Sequence, residues 1–254
     1  MKEQVLYGIN PIREALLVDP PKLYKIFLAP QKDNPALRQL RELARQKNIP
    51  CKFYPPEILT KLAQTTHHQG AVAYQGGYAY VNLKDLWPKI SGPEPNVLLL
   101  LDGIEDPQNF GSLLRTAAAL GVTGVIIPKD RAVGVTPAVI KVSAGAAWHI
   151  PVGRVTNLAN TLAELKKVGF WIVGADPRGE VNLFHMVFPP KVALIIGSEG
   201  KGIRPLILKK CDYRVFIPLA GQISSLNAAV AGSIFLFEIR RQIMGASEMK
   251  LGQE

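Results

Sequence analysis

Cysteine is almost missing from this chain of 254 residues: there are 2, Cys51 and Cys211, far apart and in no CxxC pair. That argues against a disulfide framework or a structural zinc, and makes a reducing cytosol the default setting. Only 4 histidines are present. His67 and His68 are adjacent, so they do not easily share one metal ion on a strand or helix, and with no flanking carboxylate or cysteine no metal is expected. Trp87, Trp148 and Trp171 are scattered singly, a pattern that suits packing better than base stacking. No apolar run reaches the roughly 18 residues of a membrane span. The longest candidate, 228–237, reads as a buried helix, and the first residues lack the apolar core and cleavage site of a secretory leader. Neither GxGxxG nor GxxxxGK[ST] occurs, which argues against a standard dinucleotide fold and a P-loop.

What the chain does have is positive charge. Its 30 Lys and Arg against 20 Asp and Glu give a net charge of +10, which favours a polyanionic partner such as nucleic acid, although an unspecialised basic surface would have the same balance. Residues 1–80 hold 11 basic and 6 acidic side chains, and 81–254 hold 19 and 14. Each part is therefore about +5 with no basic tail, as expected of nucleic acid held across folded surfaces.

The first 75 residues alternate helical and strand patterns, INPIREALL, KLYKIFLA, PALRQLRELARQKN and GAVAYQ, and read as a compact α/β unit. Lys22, Lys25, Arg38, Arg41, Arg45 and Lys47 make it the candidate RNA reader. The turn-formers of SGPEPN at 91–96 mark a boundary, and four segments are expected: a substrate domain 1–80, a linker 81–95, a second domain 96–244 and a flexible tail 245–254. In the second domain continuous apolar runs at 97–102, 124–128, 170–176, 192–197 and 214–218 indicate strands buried on both faces. A mostly parallel sheet between helical layers follows. Ligands in such sheets bind beyond the carboxyl ends of the strands, where Asp102, Gly197 and Pro218 would lie.

Two of those ends carry unusual loops. VALIIGSEGKGI, 192–203, ends in glycines around one carboxylate, Glu199, and RVFIPLAGQISSLN, 214–227, breaks into a Pro and Gly loop before re-entering a helix. The pair suggests a small-molecule pocket built from backbone groups. Tight strand-to-helix turns would explain the glycines equally well. Ser224, Ser225 and Asn227 bring more polar groups to that helix start than one cap requires. Upstream, LDGIEDPQNFGSLLRTAAALG at 101–121 places Asn109 just before an expected helix and Arg115 about one turn inside it. There Arg115 would project near the helix start and could grip an RNA phosphate; an N-capping Asn109 with a surface Arg115 is the plainer alternative.

Taken in order, the Asn109 and Arg115 pair, the GSEG loop and the IPLAG…SLN segment closely resemble the three signature motifs of the SpoU (TrmH-like) family of RNA ribose 2′-O-methyltransferases. YGINPIREAL and HQGAVA resemble the substrate-binding domain carried by some members, so the likeness spans nearly the whole chain. It is greatest to those members that methylate a guanosine ribose of large-subunit ribosomal RNA. The resemblance implies an α/β-knot (SPOUT) catalytic domain with a deep trefoil knot, a homodimer formed through it, and S-adenosylmethionine held in the knotted loops. It assigns Gly197, Ile217, Leu219 and Leu226 to the cofactor, and Asn109, Arg115, Glu199, Ser225 and Asn227 to the reacting centre. Where the family has Asn-Val-Ser-Val, this chain has Asn227-Ala228-Ala229-Val230, losing one hydroxyl. Arg115 is the family's proposed base, a demanding role, because neutralising a guanidinium of pKa about 13 at pH 7 costs roughly 8–9 kcal/mol. Two alternatives accompany this reading: an enzyme of the same family acting on transfer RNA, and a non-catalytic RNA-binding or ribosome-assembly protein.

Overall fold

The computed structural model describes residues 4–18, 22–30 and 34–251, with side chains up to 243. It forms two compact units, Met1–Ala79 with Val135–His149, and Tyr80–Gly134 with Ile150–Glu254.

The first unit is built on β1 (Gln4–Tyr7), α1 (Ile9–Leu17), β2 (Leu23–Leu28), α2 (Pro35–Gln46), β3 (Cys51–Phe53), α3 (Pro56–Ala63) and β4 (Ala71–Gln75). Its sheet order is β1-β4-β2-β3. Antiparallel pairing joins β4 to both β1 and β2, and β3 runs parallel to β2 at the edge. Helix α2 shows why these elements form where they do. The Asn34 side chain accepts the Ala36 and Leu37 N–H groups at 3.0 and 3.3 Å, and Pro35 occupies the first helical position, where its missing donor costs nothing. Leu37, Leu40 and Ala44 are buried at helical spacing. Of the expected RNA-reading cations, Arg45 pairs with Glu42 at 2.8 Å, and Arg41 lies 5.3 Å from the centre of the Phe53 ring.

Next along the chain come α4 (Leu83–Ile90), β5 (Asn96–Asp102), α5 (Pro107–Ala119), β6 (Gly124–Pro128), α6 (Pro137–Val142), β7 (Val152–Val155), α7 (Leu158–Lys167), β8 (Trp171–Ala175), β9 (Val181–Asn182), β10 (Lys191–Gly197), α8 (Pro205–Leu208), β11 (Tyr213–Phe216) and α9 (Ala228–Leu251). The structure departs from the expected segments in three places. The supposed linker 81–95 contains α4, whose Leu86 and Ile90 are fully buried in the core of the second unit. Residues 135–149, expected in the second domain, belong to the first unit. The backbone of α9 continues through most of the supposed tail to Leu251, and residues 252–254 lie outside the described residues.

The second unit's seven strands are all parallel, in the order β7-β6-β5-β10-β8-β11-β9. Its centre is β10, which enters between β5 and β8 after both have formed in sequence, and Gly197 lies in register with Asp102. Alternate residues of β10 serve two cores. Ala193 and Ile195 pack with Leu98, Leu100 and Leu162, whereas Ile196 faces α9. Each fully buried aliphatic side chain there contributes about 1.5–3 kcal/mol relative to exposure. The α9 backbone comes close enough that a methyl added at Gly232 would lie 2.5 Å from a Leu113 methyl, so a larger residue there would have to displace the Leu113 side chain. Cys211 is packed against Gly174, and burial, the largest cause, pushes its thiol up to about 12.

Candidate active site

The carboxyl ends of the central strands gather the chemistry. Helix α5 begins at Pro107, and its N-cap is Asp106, whose carboxylate accepts the Gln108 and Asn109 N–H groups at 3.2 and 3.0 Å. Asn109 therefore lies inside the first turn rather than before the helix. With capping supplied by Asp106, the Asn109 amide is free for other work. Its Nδ2 donates to Glu199 Oε1 at 3.1 Å, across 90 residues of sequence.

Asn227 completes the group. It immediately precedes α9, and its Oδ1 accepts the Ala229 and Val230 N–H groups at 2.9 and 3.2 Å. Its Nδ2 donates to Asn109 Oδ1 at 2.8 Å and also to Glu199 Oε1. One amide thus caps a helix with its oxygen and holds a carboxylate with its nitrogen. Three residues from three motifs meet at one oxygen of Glu199, and the bonding fixes both amide orientations.

Glu199 also lines a cleft of about 670 Å³. All four residues expected at the cofactor, Gly197, Ile217, Leu219 and Leu226, line it as well, together with Ser225. Gly197 has to be glycine: an added Cβ would stand 2.1 Å from the Gly202 carbonyl carbon, because the 198–202 loop folds back onto the strand end. That fold-back is closed by reciprocal backbone bonds between Ser198 and Gly202 at 3.2 and 2.9 Å. The opposite wall is different. Among the described residues, 217–226 form no main-chain hydrogen bond to a strand or neighbouring loop. Their polar backbone groups are left for the cleft or solvent. Ser224 and Ser225 are exposed in this loop rather than buried at the helix start.

Arg115 lies elsewhere. It is more than two turns into α5, not one, and six residues from Asn109 is about 600° of helical rotation, which puts the two side chains on different faces. Arg115 lines a separate, mainly apolar groove of about 620 Å³ between α5 and α9, with Phe184, Ile234 and Phe237. Phe184 is 77% exposed and Phe237 62%.

Sequence reasoning missed the anchor of the Glu199 loop. Asp102, wholly buried at the end of β5, accepts the Arg204 backbone N–H at 2.8 Å and its guanidinium at 2.7 and 2.6 Å. A buried carboxylate paired in this way ties the end of the loop to the sheet. Asp176 and Arg178, also on the cleft wall, were missed too. The available signal was position: Asp102 and Asp176 both lie at strand carboxyl ends. Among the described residues no group of three or more His, Cys, Asp or Glu side chains is placed to hold a metal ion, and no helix is long and apolar enough to cross a membrane.

Residues 96–237 match the SpoU rRNA Methylase family, and residues 5–81 match the substrate-binding domain of RNA 2′-O ribose methyltransferases. The chain belongs to the SpoU family. A putative TrmH family tRNA/rRNA methyltransferase of Bacillus subtilis, YacO, is 43% identical over 236 residues, covering 92% of this chain and 94% of its own. The 23S rRNA (guanosine-2′-O-)-methyltransferase RlmB of Neisseria meningitidis is 39% identical, covering 94% and 96%. Among solved structures, the SpoU methyltransferase AviRb of Streptomyces viridochromogenes, in complex with AdoMet, superposes with a TM-score of 0.79 at 28% identity, covering 95% and 91%. The second unit is accordingly the α/β-knot domain of a SpoU methyltransferase, with β10 set between two earlier strands. S-adenosylmethionine is the cofactor of this family of enzymes, and the cleft fits it: apolar walls at Ile217, Leu219 and Leu226 suit an adenine ring, and the unpaired backbone of 217–226 offers donors and acceptors for its edge.

Proposed function

We propose that this chain is a homodimeric cytoplasmic enzyme that methylates the ribose 2′-hydroxyl of a guanosine in large-subunit ribosomal RNA. The observation that carries the reading is the meeting of Asn109, Glu199 and Asn227 at the rim of the cleft. When bound, S-adenosylmethionine supplies an electrophilic methyl on sulfur, so the protein's task is to hold the hydroxyl in line and help its proton leave. Gly197, Ile217, Leu219 and Leu226 would hold the adenosine. Glu199, pinned by two amides, keeps one oxygen occupied and the other open to the cleft's contents. Ser225 adds a rotatable hydroxyl on the same wall.

Arg115 is assigned to the substrate, gripping phosphate and assisting the 2′-hydroxyl. Its groove of exposed apolar side chains supports the dimer, because Val230, Ile234 and Phe237 along α9 with Phe184 form a patch suited to a second copy. The first unit, with its basic helix α2, supports selection of a structured RNA. Mapping 2′-O-methylation in ribosomal and transfer RNA with and without this protein tests the assignment. Loss of a single guanosine methyl in large-subunit RNA is the expected result. Loss of a transfer RNA site instead would move the substrate, and no loss with no cofactor binding in calorimetry would leave a non-catalytic RNA binder.

A further inference from the structure

The carboxyl edge of the knotted sheet has a second cavity that the cofactor reading does not use. It encloses about 540 Å³ beyond the ends of β6 and β7, lined by Asp130, Arg131, Thr156, Asn157, Arg204 and Leu206 among others. It adjoins the cofactor cleft through one piece of chain, since the loop that carries Glu199 runs on through Ile203 to Arg204 and Leu206.

The cavity's polar groups are those that recognise a phosphate. The Arg204 guanidinium is fixed by Asp102 yet still about half exposed, so part of its five-donor fork is held in place without being used up. Arg131 makes no ion pair, hydrogen bond or ring contact among the described residues. Its backbone is left-handed, with φ of 56°, a conformation that costs an arginine more than a glycine or asparagine. The loop is tied down next to the active strand end, where the Val133 N–H bonds the Ile104 carbonyl at 2.9 Å. Helix α7 adds its N-terminus: Asn157 caps the Asn160 N–H at 3.0 Å, while the N–H groups of Leu158 and Ala159 take no backbone partner. Two carboxylates oppose an anion here. Asp102 is wholly buried and spent on Arg204, leaving Asp130 on the rim. Pro128 and the well-exposed Leu206 supply an apolar wall of the kind that lies against a sugar or base.

We propose that this cavity holds a backbone phosphate of the substrate RNA near the nucleotide being methylated, which rests on reading the chain as an RNA methyltransferase. Occupying it would brace the loop that carries Glu199, so RNA engagement and the geometry of the reacting centre would be coupled through Arg204.

The test uses the full-length protein and four forms: wild type, Arg131→Asn, Arg131→Lys and Thr156→Glu. Asparagine tolerates the left-handed backbone, so Arg131→Asn removes charge without strain, and Thr156→Glu sets a carboxylate at the mouth of the cavity. RNA affinity is measured across a potassium chloride series, with KM and kcat for the same RNA and calorimetry for S-adenosylmethionine. Arg131→Asn should weaken RNA binding on the order of tenfold and make the log–log salt dependence shallower by about 0.7–0.9, one phosphate contact. Arg131→Lys should keep the slope, Thr156→Glu should raise KM and, by keeping out the phosphate that braces the Glu199 loop, lower kcat as well, and cofactor affinity measured without RNA should stay at wild type in every form. Wild-type affinity and slope in both Arg131→Asn and Thr156→Glu would overturn the proposal. Binding of inorganic phosphate that Arg131→Asn abolishes without changing the RNA slope would also overturn it, assigning the site to a free anion. A wild-type protein that binds RNA but methylates none would count against the enzymatic reading alone.

Discussion

Asn227 combines two jobs in one side chain, and substitution can separate them. Its oxygen caps α9 and its nitrogen holds Glu199 and Asn109. Serine is as good an N-cap as asparagine but lacks the amide nitrogen, whereas alanine supplies neither function. Asn227→Ala should therefore lose about 1 kcal/mol from the cap, a fall in Tm of roughly 2–4 °C for a domain of this size. Asn227→Ser should unfold roughly 2–4 °C above Asn227→Ala, since it keeps the cap and shares only the loss of the amide's bonds to Glu199 and Asn109. The catalytic consequence should be the same for both. A hydrogen bond to a charged group contributes about 1.5–3 kcal/mol, so losing the hold on Glu199 should slow methyl transfer by roughly 10–150-fold. Thermal unfolding followed by circular dichroism, beside single-turnover methylation at saturating RNA and cofactor, gives both numbers. If Asn227→Ser turned over at the wild-type rate, the three-residue junction would be idle in catalysis. If it unfolded as early as Asn227→Ala, the cap would not be the structural role.

Three further outcomes follow from the geometry. Gly197→Ala forces a Cβ into the Gly202 backbone, so it should abolish measurable S-adenosylmethionine binding in calorimetry and cost about 1–3 kcal/mol of stability; wild-type affinity would contradict the fold-back loop. His68 is buried, its Nδ1 accepting the Gly70 N–H at 3.0 Å and its Nε2 lying 3.1 Å from Thr60 Oγ1; burial, then the nearby Lys141, holds its pKa below the usual 6.5. Its stabilising contribution is thus complete above about pH 6.5 and lost as pH falls toward the depressed value, so Tm against pH should fall less steeply for His68→Gln than for wild type, and parallel curves would refute this. If Arg115 serves the partner's cleft, mixing the impaired Arg115→Ala and Asn227→Ala chains should raise activity above that of either alone to about one quarter of wild type, because half the dimers are mixed and each has one intact site. No recovery after confirmed subunit exchange would return Arg115 to its own chain.

The strands of the knotted sheet were legible where they were buried on both faces. GVIIP is a strand over its full expected length, and the runs at 97–102 and 192–197 shift by one residue or less at their ends. Strand β7 escaped because Gly153 and Arg154 interrupt its apolar pattern, and β9 because it is two residues long. Helix α4 was hidden by Pro88 and by charged residues on its outer face, although Leu86 and Ile90 at i and i+4 were the available sign. In the candidate site the cleft-lining residues were readable because loop composition announced them. The Asp102–Arg204 anchor was not, because a pairing across 102 residues leaves no local pattern.

The Asn109 and Arg115 pair shows how a linear motif can mislead about space. Six residues on a helix is about 9 Å of rise and two thirds of a turn beyond a full one, so a straight helix presents the two side chains on different faces. Asn109 satisfies its own chain's Glu199 and Asn227, while Arg115 opens onto the groove of exposed Phe184 and Phe237. A single function for both residues then requires either an RNA strand long enough to touch two faces of α5 or a second chain that brings its own cleft to that groove. The apolar groove favours the second chain, because a solvated RNA backbone gains little from Ile234 and Phe237, whereas a matching apolar surface gains about 25 cal/mol for each Å² it buries.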